Sequence, residues 1–142
     1  MRRTWRVALA ATVVASVTGL GVLAATSSAD TGARVIELTI RHSAFDKASV
    51  TVRRGETVTF VVHNTDPILH ELIVGPADVQ LRHELGTEPR HGPLPGEVSL
   101  PPGTTGSTTY RVTTSRPIQF ACHVPGHFAY GMQGVVRVIS RG

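Results

Sequence analysis

Beyond residue 33 the chain alternates between apolar and polar positions in short runs. In RVIELTI, Ile36, Leu38 and Ile40 fall on one face. In SVTVRRGETVTFVVHN two such runs flank Arg54-Gly55, with Val58, Phe60 and Val62 pointing inward. A period of two predicts half-buried strands. LHELIVG, RPIQFAC and GVVRVIS are further strand segments, and EVSLPPGTTGSTTYRVTT places a strand on each side of a Pro-Pro-Gly turn. Nowhere do apolar residues repeat at helical spacing for three turns. About seven strands in one small domain, with turns this frequent, predict an all-β fold, a Greek-key antiparallel β-sandwich.

Two segments depart from this pattern. Residues 76 to 97, PADVQLRHELGTEPRHGPLPGE, are polar and carry four prolines and three glycines. They predict a long excursion between strands, with one helical turn at Asp78 to Leu85; excursions of this length are often functional. At the N-terminus, Arg2, Arg3 and Arg6 precede an uncharged run from Val7 to Ala25 and small residues up to Ala29. That order reads as a secretory signal over residues 1–29, followed by one domain over 30–142. The alternative is an uncleaved anchor, because the uncharged run approaches the roughly 20 residues that span a bilayer. Its many Ala, Thr, Ser and Gly residues argue for cleavage. The expectation is an exported protein: secreted, periplasmic or associated with the cell envelope.

Charge changes meaning once the leader is set aside. Three of the fourteen basic residues lie within it, which leaves eleven against ten acidic ones. A near-neutral domain gives no case for a nucleic-acid partner. The cysteine count matters more. Cys122 is alone and has no partner for an internal disulfide, so in an oxidising compartment it needs protection by burial or by a metal. Seven histidines beside a single lysine favour the metal.

Cys122 opens the stretch CHVPGHFAYGM, in which His127 and Met132 follow at intervals of four intervening residues and Pro125-Gly126 turns the chain just before His127. A thiolate at a strand end, an imidazole on the loop and a thioether at the re-entry to the next strand can converge on one point. Thiolate and imidazole together suit copper, with a long thioether bond completing a trigonal site. A second imidazole must come from elsewhere. His70 is the best candidate, since it begins LHELIVG after the turn Asn64-Thr65-Asp66-Pro67. Alternation turns His63 outward, and a strand-like backbone turns His123 away from the metal. His42, His83 and His91 lie in other loops. Of these, His83 and His91 with Glu84 or Glu88 form a weaker second metal candidate, against which stands the simpler reading of a solvated loop. A Cys-His nucleophile is a further alternative, but it lacks an orienting third group and leaves Met132 without a task.

CHVPGHFAYGMQGVVRV, with NTDPILHEL upstream and the strand pattern between them, resembles the small blue copper proteins, the cupredoxins, over nearly all of residues 33 to 140. The resemblance implies a Greek-key β-sandwich holding one type 1 copper ion. It implies His70, Cys122 and His127 as equatorial ligands and Met132 as the weak axial one. Many members of the family carry asparagine directly after the first histidine ligand, where it braces the ligand loop; this chain has Glu71, and Asn64 is the available substitute. Multicopper oxidases share the loop spacing but place histidines on both sides of the cysteine, whereas here Ala121 precedes it. No enzymatic activity is expected. The expected role is a monomeric one-electron carrier whose redox partner docks near His127, Pro67, Ile68 and Phe128. The alternative is copper delivery, sequestration or resistance outside the membrane, and a metal-free interaction domain is the third reading.

Overall fold

The computed structural model describes residues 34–86 and 94–140. The leader, and Glu88 and His91 of the weaker metal candidate, lie outside the described residues. The strands are β1 (Arg34–Arg41), β2 (Ala44–Phe45), β3 (Ser49–Arg53), β4 (Thr57–Asn64), β5 (His70–Gly75), β6 (Glu97–Leu100), β7 (Thr105–Arg111), β8 (Ile118–Ala121) and β9 (Gln133–Ile139). Among the described residues one helix, α1 (Ala77–Leu85), lies between β5 and β6.

The strands form two sheets, ordered β2-β1-β4-β7 and β3-β9-β8-β5-β6. The all-β sandwich follows the alternation in the sequence: Ile36, Leu38 and Ile40 of β1 and Val58, Phe60 and Val62 of β4 are all buried. The sheets are mixed, however, where the sequence predicted antiparallel pairing throughout. β1 pairs in parallel with β4, and β3 with β9. The reason lies in the turns. β3 and β4 flank Arg54-Gly55 but belong to different sheets, so that turn crosses the sandwich instead of closing a hairpin. The chain leaves β1, crosses as β3 and returns as β4, which therefore runs in the direction of β1. The Pro-Pro-Gly turn between β6 and β7 crosses in the same way.

β5 is buried at every position. A strand covered on both faces reads as a continuous apolar run, which is the character of Leu72, Ile73 and Val74, whereas His70 and Glu71 ahead of them are buried polar residues. Its inner residues Leu72 and Val74 join the core. Helix α1 sits beside it, with Gly75 so close to Val79 that a β-carbon there would lie 2.8 Å from the valine side chain. The helix spans Ala77–Leu85, close to the helical turn the sequence placed at Asp78 to Leu85. Its buried residue, Gln80, donates to the carbonyls of Ile73, Gly75 and Gln119 at 3.2, 3.3 and 3.1 Å. These bonds fasten the helix to β5 and to β8, the two strands that present the candidate ligands.

Candidate metal centre

His70 is the first residue of β5, and Cys122 follows directly on β8. Since β5 and β8 are neighbours in one sheet, residues fifty-two apart in sequence meet at one end of the sandwich. The loop from Cys122 to Met132 is held by its own backbone. The Cys122 N–H donates to Met132 O at 3.1 Å, the His127 N–H to Val124 O at 2.9 Å, and the Met132 N–H to His127 O at 3.0 Å. Gly126 and Gly131 take left-handed φ values of 87° and 92°, conformations that admit glycine at little cost and here turn the loop on either side of His127.

The Cys122 sulfur lies 3.9 Å from His70 Nδ1 and 3.4 Å from His127 Nδ1. The three donor atoms all fall within 4.8 Å of one another, and among the described residues no other set of three such side chains does so. The spacing fits a metal. With bonds of about 2.0 Å to nitrogen and 2.3 Å to sulfur, a planar trigonal site separates the two donors by about 3.7 Å. Thiolate and imidazole donors in this arrangement favour copper. Met132 is 2 % exposed and shares the core with Cys122. Its backbone bonds to Cys122 and His127 place it between the two.

His70 and the backbone beside Cys122 are braced from behind. His70 is wholly buried, and its Nε2 lies 3.0 Å from Asp66 Oδ2. Donation from Nε2 to the carboxylate leaves the Nδ1 lone pair facing the sulfur. Asp66 is itself anchored, accepting from the backbone N–H groups of His42 and Ser43 at 2.7 Å each. Burial opposes ionisation of Asp66, but those two N–H groups and His70 outweigh it and hold the carboxyl below its ordinary range. Asn64 accepts from the Asp66 N–H at 3.0 Å and donates to the carbonyls of Ile68 and Leu100, both at 2.9 Å, and of Pro101 at 3.1 Å. Glu71 Oε1 accepts from the His123 N–H at 2.9 Å. The loop-bracing function in question at Glu71 is thus divided: Asn64 ties the histidine loop, and Glu71 ties the backbone beside Cys122.

Sequence reasoning missed Asp66, although a carboxylate four residues ahead of a candidate ligand, in a tight turn, was the available signal. It also did not foresee the partners of His123. That ring turns to helix α1, where Nδ1 lies 2.8 Å from Glu84 Oε2 and Nε2 lies 2.7 Å from Gln80 Oε1. His63 stays on the outer face of β4, 2.9 Å from the Thr105 hydroxyl. His83 donates through Nδ1 to Val79 O at 2.9 Å and approaches Glu97 at 3.3 Å, so it is engaged within the fold. Pro67 and Ile68 are exposed, while Phe128 is half-buried and stacks on His123 with centroids 4.9 Å apart.

Burial raises the Cys122 thiol from its ordinary value of 9.0 to about 11, against the N–H groups of Val124 and Glu71 that lower it and with the Glu71 charge that raises it further. Burial, then the adjacent His70, lowers His127 below its ordinary 6.5. The neutral imidazole is therefore ready to donate its lone pair, while the thiol must lose a proton as metal binds. The metal-free fold should lose stability in alkali. The unfolded thiol ionises first, near pH 9, so stability present below that pH falls as pH rises toward 11 and then levels off. The loss attributable to Cys122 is about 2 to 3 kcal/mol. Urea titrations of the metal-free parent and Cys122→Ser chains across pH 8 to about 11.5 should diverge by that amount; parallel curves would contradict the buried-thiol assignment.

Comparison with known proteins agrees with this chemistry. Residues 35–139 match the copper binding proteins of the plastocyanin/azurin family. The chain is 41% identical over 98 residues to the copper-resistant cuproprotein CopI of Rubrivivax gelatinosus, covering 66% of this chain and 59% of that protein. It therefore spans about three-fifths of that relative's length. It is 26% identical over 137 residues to the CopI of Pseudomonas aeruginosa, covering 74% of this chain and 76% of the relative. Dithionite-reduced auracyanin from Roseiflexus castenholzii has a similar fold, with a TM-score of 0.63 and 25% identity over 74% of this chain and 96% of auracyanin. The sulfur and two-nitrogen donor set, on a sandwich shared with auracyanin, and the match across 35–139 lead to one conclusion: this chain belongs to the plastocyanin/azurin family of copper-binding proteins, the cupredoxins, and copper is its cofactor.

Proposed function

We propose that the chain is an exported one-electron carrier, in which His70, Cys122 and His127 are the equatorial ligands of a type 1 copper and Met132 is the weak axial ligand. Bound there, copper supplies a one-electron couple. The observation that carries the reading is the bracing around the donors: Asp66 behind His70, Glu71 and the Val124 N–H beside Cys122, and backbone bonds on both sides of His127. Rigid donors keep one shape in both oxidation states, as a carrier needs. A protein that hands over its metal needs donors that can open. The half-buried His127 ring is the donor nearest to solvent, and the exposed Pro67 and Ile68 with Phe128 offer a small apolar contact for a transient partner.

A second reading, copper handling or resistance outside the membrane, is favoured by the name of the 41% identical relative. The engagement of His83 with Val79 and Glu97 weighs against a second ion site in the excursion. Copper-loaded protein separates the readings. A carrier binds one copper per chain, shows an intense thiolate-to-copper absorption, and cycles reversibly without losing the ion to a chelator. A colourless complex, or quantitative release of copper on reduction, would overturn the proposal; release that depends on His83 and His91 would establish the second reading.

A further inference from the structure

We propose that helix α1 is part of the frame of the copper site, with Gln80 and Glu84 acting as positioning residues through His123 on the adjacent Cys122. The side chain of His123 is 1 % exposed and is gripped on every side. Its Nε2 lies 2.7 Å from Gln80 Oε1, its Nδ1 2.8 Å from Glu84 Oε2, its backbone N–H 2.9 Å from Glu71 Oε1, and its ring stacks on Phe128. Phe128 directly follows His127, so the residue between the two ligands on one side touches the neighbour of the other.

The orientation of Gln80 is not arbitrary. Its amide nitrogen is committed to the carbonyls of Ile73, Gly75 and Gln119, which leaves its oxygen facing His123 as an acceptor. Those carbonyls belong to β5 and β8, the strands that present His70 and Cys122. The helix thus takes its position from both ligand strands and returns it to the ligand loop through one imidazole. Partners that hold metal ligands in place typically alter affinity 10- to 100-fold when removed. A helix that merely covered the sheet would need no polar side chains aimed at both ring nitrogens of the residue beside the cysteine.

The test uses the full chain, copper-loaded and metal-free, with Glu84→Ala, His123→Phe, Glu84→Gln and, as a control on the same helix, Arg82→Ala. Glu84→Ala and His123→Phe are expected to shift the visible band and the copper hyperfine splitting and to weaken copper binding about tenfold. In metal-free protein they should raise the alkylation rate of Cys122 several-fold. Glu84→Gln, which keeps a carbonyl acceptor, and Arg82→Ala should follow the parent. Should His123→Phe fail to fold, Glu84→Ala decides, because Glu84 is 37 % exposed at the edge of the cluster. Parent-like spectrum, affinity and thiol reactivity in Glu84→Ala would overturn the proposal, whatever its melting temperature. The inference rests on the copper reading, but the two fail separately: a parent without the absorption band defeats the carrier, while the metal-free thiol rate still decides the frame.

Discussion

The Cys122→Ser chain is expected to lose the intense visible absorption completely and to bind copper more than about 100-fold more weakly. The band arises from thiolate-to-copper charge transfer, for which a hydroxyl has no counterpart, and the soft sulfur is the donor that best stabilises Cu(I). The fold should survive the change. Serine is smaller than cysteine, and the N–H groups of Val124 and Glu71 that approach the sulfur remain available to a hydroxyl oxygen. Absorption spectra, metal analysis and a competition titration read the outcome, with circular dichroism confirming the sandwich. A variant that keeps the band would place the sulfur donor elsewhere, and Cys122 is the only cysteine.

Gly134→Ala is expected to cost about 3 kcal/mol in a urea titration, at the upper end of over-packing. Gly134 pairs with Phe120 across β8 and β9. A β-carbon there would lie 2.6 and 2.7 Å from Cε2 and Cε1 of the Phe120 ring and closer still to Cζ. The ring cannot swing aside freely, since Phe120 is fully buried and meets Phe45 edge-on at 5.2 Å. Because Phe120 lies two residues before Cys122, relief of the clash would also disturb the ligand strand. A loss below about 0.5 kcal/mol, the usual range of surface changes, would show that the ring has room the packing denies it.

Much of the strand pattern was legible because alternation reports directly which face of a strand meets the core. Ile36, Leu38 and Ile40 needed no knowledge of their partners. The parallel pairing of β1 with β4 was not legible, because a turn such as Arg54-Gly55 looks alike whether it closes a hairpin or crosses between sheets. Cys122 and His127 were legible together because the fixed loop spacing leaves few other uses for a lone thiol, while His70 was reached only through its place after the turn and the resemblance to the cupredoxins. The anchoring of Asp66 and the role of Gln80 were hidden for a different reason. Each works through hydrogen bonds to groups far along the chain, such as the His42 N–H for Asp66 and the Gln119 carbonyl for Gln80.

The sequence by itself determined the all-β class, the residues that turn inward, and the soft donor set that selects copper, since these follow from local periodicity and from the chemistry of single side chains. Only the tertiary structure decided which sheet each strand joined, what anchors Asp66 behind His70, and how a helix in the excursion reaches the residue next to Cys122. Those depend on distances between segments dozens of residues apart, and such distances are set by the packing of the whole core.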